Sequence, residues 1–134
     1  MVPRLNLNVL VADDNKINRL LLSKIFAKWG VTADFVENGV KAIEKIESNH
    51  NYDVVLMDIH MPEMDGIDAT ISIRSKSDAY CQQLPIIALT ASMLEGERGQ
   101  IEDAGMDYIL KPFDSKKLYD KLSSFQKEDL LIKE

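Results

Sequence analysis

The chain has 134 residues, of which 46% are hydrophobic and 28% are charged, and this size and composition indicate one globular domain. No apolar run approaches the roughly 20 residues that a membrane helix needs, the N-terminus lacks a signal-peptide core, and the single cysteine cannot form an internal disulfide, so we expect a cytoplasmic protein. The formal net charge of −6, without clustered basic residues, argues against binding to nucleic acid or to an anionic membrane.

The hydrophobic pattern alternates along the chain between buried strands and amphipathic helices. Strands are predicted over residues 7–12, 31–36, 54–57, 85–89 and 108–110. Helices are predicted over residues 16–29, 39–48, 67–73, 94–104 and 115–125, the second anchored by Val40, Ile43 and Ile46. This alternation predicts a parallel sheet with right-handed crossovers, and therefore a doubly wound α/β three-layer sandwich.

The first predicted helix carries more apolar residues than one contact with the sheet requires. Its expected apolar face consists of Ile17, Leu21 and Ile25 at i+4 spacing, with Leu22, Phe26 and Trp29 beside them. Leu20 lies well around the helix from this face, so part of the apolar arc is expected to be exposed. Two interpretations stay open: contact with the last helix, or a docking face for a partner helix.

Two segments between the third and fifth strands carry weak helical signals. The polar stretch 75–83 is typical of a surface loop, and we expect Cys81 to be a loop thiol there. The helix predicted over residues 94–104 contains Gly96 and Gly99, each of which costs about 1 kcal/mol relative to alanine in a helix interior. We therefore expect this fourth helix to be weakly held.

Polar residues follow four of the five predicted strands. They are Asp13 and Asp14 after the first strand, Asp58 after the third, Thr90 after the fourth and Lys111 after the fifth. Because doubly wound sheets bind ligands beyond the carboxyl ends of their strands, these side chains are expected to line one crevice. The turn after Asp58 is marked by Pro62 and by Asp65-Gly66, where glycine suits a strained exit.

The residue types in this crevice predict a particular chemistry. Three carboxylates repel each other unless a cation joins them, and oxygen ligands with room for water suit Mg²⁺. Lys111 and Thr90 would supply a positive charge and a hydroxyl donor. An aspartate in these surroundings, Asp58, is equipped to attack a phosphoryl group and to form an aspartyl phosphate.

This pattern resembles the receiver domain of two-component response regulators. The motifs that carry the resemblance are Asp13-Asp14, Asp58 followed by Met61-Pro62 and Asp65-Gly66, Thr90-Ala91, and Lys111-Pro112. The resemblance implies a flavodoxin-like (βα)5 fold with strand order 2-1-3-4-5. The receiver domain would span residues 7–125, after a lead-in of residues 1–6 and before a helix extension or tail of residues 126–134.

The same resemblance implies how a metal ion is held. Asp58 would be the phosphoacceptor, and Mg²⁺ would be bound directly by Asp14, by Asp58 and by the backbone carbonyl of His60. Asp13 would hold a metal-bound water. The His60 side chain is expected to lie at the rim of the site.

The phosphoryl contacts and the switch follow from the resemblance as well. Lys111 and Thr90 would contact the phosphoryl group, and the bond between Lys111 and Pro112 is expected to be cis. Thr90 would move to the phosphate and Tyr108 would turn inward behind it. These movements would reshape the face formed by the fourth helix, the fifth strand and the fifth helix.

The implied partner is a histidine kinase or a histidine-containing phosphotransfer protein, with no nucleic acid and no membrane contacted by this domain. The motif Asp13-Asp14-Asn15-x-x-Asn18-Arg19 and residues 57–66 look more like the receivers of hybrid histidine kinases. No output domain follows Phe125, so we expect a stand-alone receiver or one module of a hybrid kinase. Such a domain promotes its own phosphorylation and dephosphorylation and is not expected to be an enzyme.

Two other functions are considered. A receiver-like protein-binding module that is not phosphorylated would lack an acid or the lysine, and none is missing here. A haloacid-dehalogenase-like phosphatase also forms an aspartyl phosphate, but the Asp-x-Asp after its first strand and its substrate cap are not found in this sequence.

Overall fold

The computed structural model describes residues 4–90, 96–111 and 114–126. The strands are β1 Asn8–Ala12, β2 Thr32–Val36, β3 Val54–Asp58, β4 Ile86–Thr90 and β5 Asp107–Leu110. They form one parallel sheet in the order β2-β1-β3-β4-β5. The predicted flavodoxin-like order is confirmed, and each strand begins and ends within one residue of its predicted bounds.

The helices are α1 Lys16–Trp29, α2 Gly39–Ser48, α3 Gly66–Arg74, α4 Ala79–Gln83, α5 Glu97–Asp103 and α6 Ser115–Ser123. The first helix begins as predicted, because the Asn15 side chain accepts hydrogen bonds from the amides of Ile17 and Asn18. It ends at Gly30, whose φ of 73° is the left-handed conformation that glycine adopts readily.

Two hydrophobic cores lie on opposite faces of the sheet, because successive strand residues point to opposite sides. Side chains of α1 and α6 cover one face, including Leu22, Phe26, Leu118 and Leu122. Side chains of α2, α3, α4 and α5 cover the other face, including Ile46, Ile73, Cys81 and Ile101. The three-layer arrangement is therefore confirmed. None of the helices in the described ranges has the length and apolar character needed to cross a membrane.

The prediction of a loop over residues 75–83 is wrong in its second half. The Asp78 side chain caps α4 by accepting a hydrogen bond from the Cys81 amide at 2.8 Å. Cys81 is fully buried, so it is not a loop thiol. A five-residue helix is too short to show a hydrophobic period, which explains why the pattern of polar residues was misleading.

Part of the expected apolar face of α1 does not touch the sheet. Ile17 and Leu21 from that face are 75% and 50% exposed, and Leu20, which lies around the helix from it, is 54% exposed. The contact of α1 with α6 is made instead by Trp29, whose ring meets the ring of Tyr119 edge-on at 5.1 Å. Leu20 is consequently not covered by the last helix.

Three expectations about the other helices also change. Val40 was predicted to anchor α2, but it is exposed, and Ala42 is buried in its place. Gly96 does not lie inside the fourth predicted helix: it is the N-cap of α5, with a φ of 87°. The last helix ends at Ser123, before the predicted Phe125. Residues 91–95, 112–113 and 127–134, with the predicted cis bond and the C-terminal extension, lie outside the described part of the chain.

Candidate functional site

The predicted site residues lie at the carboxyl ends of four neighbouring strands. Asp58 and Thr90 are the last residues of β3 and β4, Asp13 follows β1, and Lys111 follows β5. The sheet order places β1, β3, β4 and β5 side by side. Since the strands are parallel, their carboxyl ends meet at one edge, which brings these polar side chains to one crevice.

The backbone directly after Asp58 is held by two hydrogen bonds of Ile59. The amide that follows it, from Ile59, donates to the carbonyl of Leu89 at 3.2 Å, and the Gly66 amide donates to the carbonyl of Ile59 at 2.8 Å. A Cβ atom at Gly66 would lie only 2.2 Å from the Asp58 carbonyl oxygen. The turn after β3 therefore passes so close to Asp58 that residue 66 can carry no side chain without a shift of backbone.

Lys111 joins two of the carboxylates. Its Nζ lies 3.3 Å from Oδ2 of Asp13 and 3.4 Å from Oδ2 of Asp58. The Asp13 side chain is fully buried, and that of Asp58 is nearly so. Because a buried carboxylate is costly without a compensating charge, the ammonium group holds this pair of acids together in the folded protein.

Asp13 is held by residues at the start of α1 as well as by Lys111. Its Oδ1 accepts a hydrogen bond from the Asn15 amide at 2.9 Å, and Nδ2 of Asn18 lies 3.4 Å from its Oδ2. Nη1 of Arg19 donates to the Asp13 backbone carbonyl at 2.7 Å. The sequence pattern included Asn18 and Arg19, but no role was assigned to them; in the structure they position Asp13.

Asp14 completes a group of three carboxylates. It is exposed, and one oxygen each of Asp13, Asp14 and Asp58 lie within 4.8 Å of one another. A set of carboxylate oxygens at a partly open position fits a hard divalent cation such as Mg²⁺. The acidic cluster could therefore bind a metal ion.

The electrostatics of Asp58 reflect its crowded surroundings. Burial raises the pKa of this carboxyl, and the neighbouring charge of Asp13 acts in the same direction. The ammonium group of Lys111 and the His60 amide, which lies 3.2 Å from Oδ1, act in the opposite direction. Because burial is the largest cause, the carboxylate form of Asp58 is less favoured here than in water, and a further cation at the crevice would favour it.

The remaining predicted residues surround this cluster. The Thr90 side chain is buried, and its backbone carbonyl accepts a hydrogen bond from the Lys111 amide at 2.7 Å. Tyr108 is half-buried on β5, with the Arg98 guanidinium 5.7 Å from its ring centroid. The His60 side chain is exposed, and its Nε2 lies 3.3 Å from Oε2 of Glu97 on α5.

Together, the strand order and the carboxylate cluster define a flavodoxin-like α/β domain with an acidic crevice of the metal-binding type. The sequence profile of one family, described as "Response regulator receiver domain", matches residues 9–123. The chain therefore belongs to the receiver domains of two-component systems, which are signalling domains.

Known proteins agree with this assignment. The chain is 34% identical to the receiver domain of a sensor histidine kinase from Pseudomonas aeruginosa, with a TM-score of 0.81 over 90% of this chain and 97% of that one. The crystal structure of that domain holds a magnesium ion in its active-site cleft.

Longer relatives match over one segment only. The chain is 34% identical over 137 residues to probable histidine kinase 4 of rice, Oryza sativa, and the match covers 88% of this chain but 14% of that protein. It is 33% identical over 129 residues to hybrid signal transduction histidine kinase I of Dictyostelium discoideum, covering 92% of this chain and 7% of that protein. The chain thus spans a small fraction of these relatives.

Proposed function

We propose that this receiver domain accepts a phosphoryl group on Asp58. The observation that carries the proposal is the position of Asp58 at the end of β3, with Asp13 and Lys111 in contact at the same crevice. A carboxylate oxygen of Asp58 attacks the phosphorus atom of a phosphohistidine, the phosphorus–nitrogen bond breaks, and the histidine keeps the bonding electrons. Water later attacks the phosphorus atom of the aspartyl phosphate, its bond to the Asp58 oxygen breaks, and inorganic phosphate leaves, which returns the domain to its starting state.

The proposed metal is Mg²⁺, because the cluster offers oxygen ligands and the Pseudomonas neighbour holds this ion in its cleft. When bound, Mg²⁺ would neutralise charge on the phosphoryl oxygens. Asp14, Asp58 and the backbone carbonyl of His60 are proposed as its direct ligands, and Asp13 as the acceptor of a metal-bound water. Lys111 and the Thr90 hydroxyl are proposed to contact the phosphoryl oxygens.

The proposed switch couples Thr90 and Tyr108 to the surface formed by α5, β5 and α6. Ile101 is the one fully buried side chain of α5 (Glu97–Asp103). Few buried contacts therefore oppose a movement of this helix. A phosphoryl group with a charge near −2 gives the two positions of Thr90 different free energies. Arg98 lies on α5, and its guanidinium contacts the Tyr108 ring, so Tyr108 is linked directly to α5.

The proposed donor is a phosphohistidine of a histidine kinase or of a histidine-containing phosphotransfer protein. The exposed residues Ile17, Leu20 and Leu21 lie on α1, whose first turn follows directly after Asp13 and Asp14. An apolar surface beside the phosphorylation site suits the docking of a donor helix. We further propose that the chain is a module of a hybrid histidine kinase, because it matches one segment of longer histidine kinases, one of them named as hybrid. The proposed location of this module is the cytoplasm.

Intact mass spectrometry after incubation with a small phosphodonor and Mg²⁺ tests the proposal. We expect a gain of one phosphoryl group per chain, which is absent in the Asp58→Asn variant and without Mg²⁺. No gain in the wild-type chain would favour a receiver-like binding module that is not phosphorylated.

A further inference from the structure

A second cluster of metal-type side chains lies at the other end of the sheet. One ligand atom each of His50, Asp78 and Cys81 lie within 4.8 Å of one another. His50 precedes β3, and Asp78 and Cys81 lie at the start of α4, which precedes β4. The cluster is thus near the amino ends of these strands, and strands of this length separate it from the carboxylate crevice by about 16 Å.

Two of these side chains are placed by the helix itself. Asp78 and Cys81 are three residues apart, so both face the same side of the first turn of α4. Oδ1 of Asp78 accepts the Cys81 amide hydrogen bond at 2.8 Å, which fixes the orientation of the carboxylate. Cys81 is fully buried and Asp78 is exposed, so the pair reaches from the core to the surface.

The third side chain, His50, comes from the connection between α2 and β3. Its ring stacks on the ring of Tyr80 at 4.4 Å with an angle of 17° between the planes. The Tyr80 hydroxyl donates to the Tyr52 carbonyl at 2.8 Å, which fixes the ring that His50 lies on. The nearby cation Lys76 is already paired, because its Nζ lies 2.5 Å from Oε2 of Glu47.

We infer that His50, Asp78 and Cys81 bind one divalent transition metal ion of the Zn²⁺ type. A nitrogen, an oxygen and a sulfur ligand are the donor set of zinc sites rather than magnesium sites. Tetrahedral bonds of about 2.0–2.3 Å place ligand atoms about 3.3–3.8 Å apart. The observed upper limit of 4.8 Å exceeds these separations by about 1.0–1.5 Å, a gap that small side-chain movements would close. Cys81 releases its thiol proton to solvent on binding, and water takes the fourth position.

Such an ion would tie the connection between α2 and β3 to α4. Because the three ligands meet only in the folded chain, binding also stabilises the fold as the free metal concentration rises. The two clusters share no residue, so this metal ion and the proposed phosphoryl group on Asp58 would occupy separate sites.

Cobalt(II) titration of the reduced, metal-free chain, in excess Mg²⁺ to occupy the carboxylate crevice, tests the inference. Cys81 is the single cysteine of the chain, so a sulfur-to-cobalt charge-transfer band reports this site alone. We expect that band, with the visible absorption of tetrahedral cobalt, to saturate at one equivalent and to disappear when Zn²⁺ is added. Its absence with cobalt in excess over protein would overturn the inference.

Two histidine variants provide the matched comparison, because the chain has two histidines. Cys81→Ser should abolish the charge-transfer band. His50→Ala should weaken cobalt binding at least tenfold, while His60→Ala should leave cobalt affinity unchanged. His50 is exposed, so its replacement should keep the metal-free chain folded and lower the thermal midpoint only through the lost stacking on Tyr80. Equal cobalt affinity in the two histidine variants would refute the site.

Discussion

Among the glycines, Gly66 has the closest surroundings, and it lies beside Asp58, the proposed phosphorylation site. A Cβ atom there would lie 2.2 Å from the Asp58 carbonyl oxygen and 2.8 Å from Cγ of Met57. We expect Gly66→Ala to lower the free energy of unfolding by about 1–3 kcal/mol, the usual cost of overpacking. Urea unfolding followed by circular dichroism measures this loss, and phosphorylation of Asp58 should slow with it because the carboxylate moves.

Gly99 provides the control for this prediction. It lies inside α5, and a Cβ atom there would meet nothing within 4 Å. Gly99→Ala should therefore raise the free energy of unfolding by about 0.5–1 kcal/mol, through helix propensity alone. If Gly66→Ala unfolds at the same urea concentration as the wild-type chain, the close approach to Asp58 does not constrain the turn.

The sequence predicted which residues meet in the site, but it did not predict the contacts that hold them in place. Asp13, Asp58 and Lys111 could be identified because each follows an apolar run, and strand ends of a parallel sheet meet. Gly66 was predicted as a glycine of a strained turn, but its constraint is a contact with another segment, which no local pattern shows. The contacts of Asn18 and Arg19 with Asp13 likewise depend on how α1 leaves the sheet.

The exposed face of α1 is the proposed docking surface for the phosphohistidine donor. We expect the double variant Ile17→Ala/Leu20→Ala to slow phosphotransfer from a phosphorylated histidine-containing phosphotransfer protein at least about fivefold, a loss of about 1 kcal/mol at an interface. Phosphorylation by a small donor should be unchanged, since that reaction needs no docking. Rapid-quench phosphotransfer kinetics measures the difference.

An exposed isoleucine on another helix separates docking from general surface effects. Ile71 on α3 is 53% exposed, so Ile71→Ala removes a similar side chain away from α1. Both variants should change stability by no more than about 0.5 kcal/mol. Equal phosphotransfer rates for the α1 variant and the Ile71 variant would show that α1 is not the docking surface.

Helices were predicted less well than strands for a physical reason. The central strands β1, β3 and β4 are buried on both faces, so nearly every residue of β3 and β4 is apolar. A helix needs about three turns before its period is visible, and α4 has five residues. In α1 the period is clear, but it cannot show which part of a wide apolar arc meets the sheet.

The two ends of the sheet differ in the side chains that they carry. The carboxyl ends carry the charged crevice, whose side chains come from the last residues of strands and from the loops that follow them. The amino ends are joined by hydrogen bonds between elements distant in sequence: the Tyr52 hydroxyl donates to Oδ2 of Asp34 at 2.6 Å, and the Tyr80 hydroxyl donates to the Tyr52 carbonyl at 2.8 Å. These bonds connect β2, the start of β3 and α4, which the alternation of strands and helices could not predict.

Tyr52 and Tyr80 make the free energy of unfolding of the fold decrease as the pH rises into the alkaline range. Burial raises the pKa of Tyr80 to about 12, and burial together with the hydrogen bond to Asp34 raises the pKa of Tyr52 further. Unfolded tyrosine titrates near pH 10, so above that pH the unfolded chain releases protons that the folded chain keeps. The stabilisation is complete below pH 10 and is lost as the pH rises towards 12, at up to about 1.4 kcal/mol per pH unit for each tyrosine.

Urea unfolding at a series of pH values from 8 to about 12 measures this loss. The wild-type free energy of unfolding should fall steeply above pH 10. Tyr52→Phe and Tyr80→Phe should each lower the stability at pH 8, because a hydrogen bond is lost, and should each make the alkaline decline shallower, because one titrating group is removed. The double variant should decline least. A decline of the same steepness in the double variant would mean that other groups cause the alkaline unfolding.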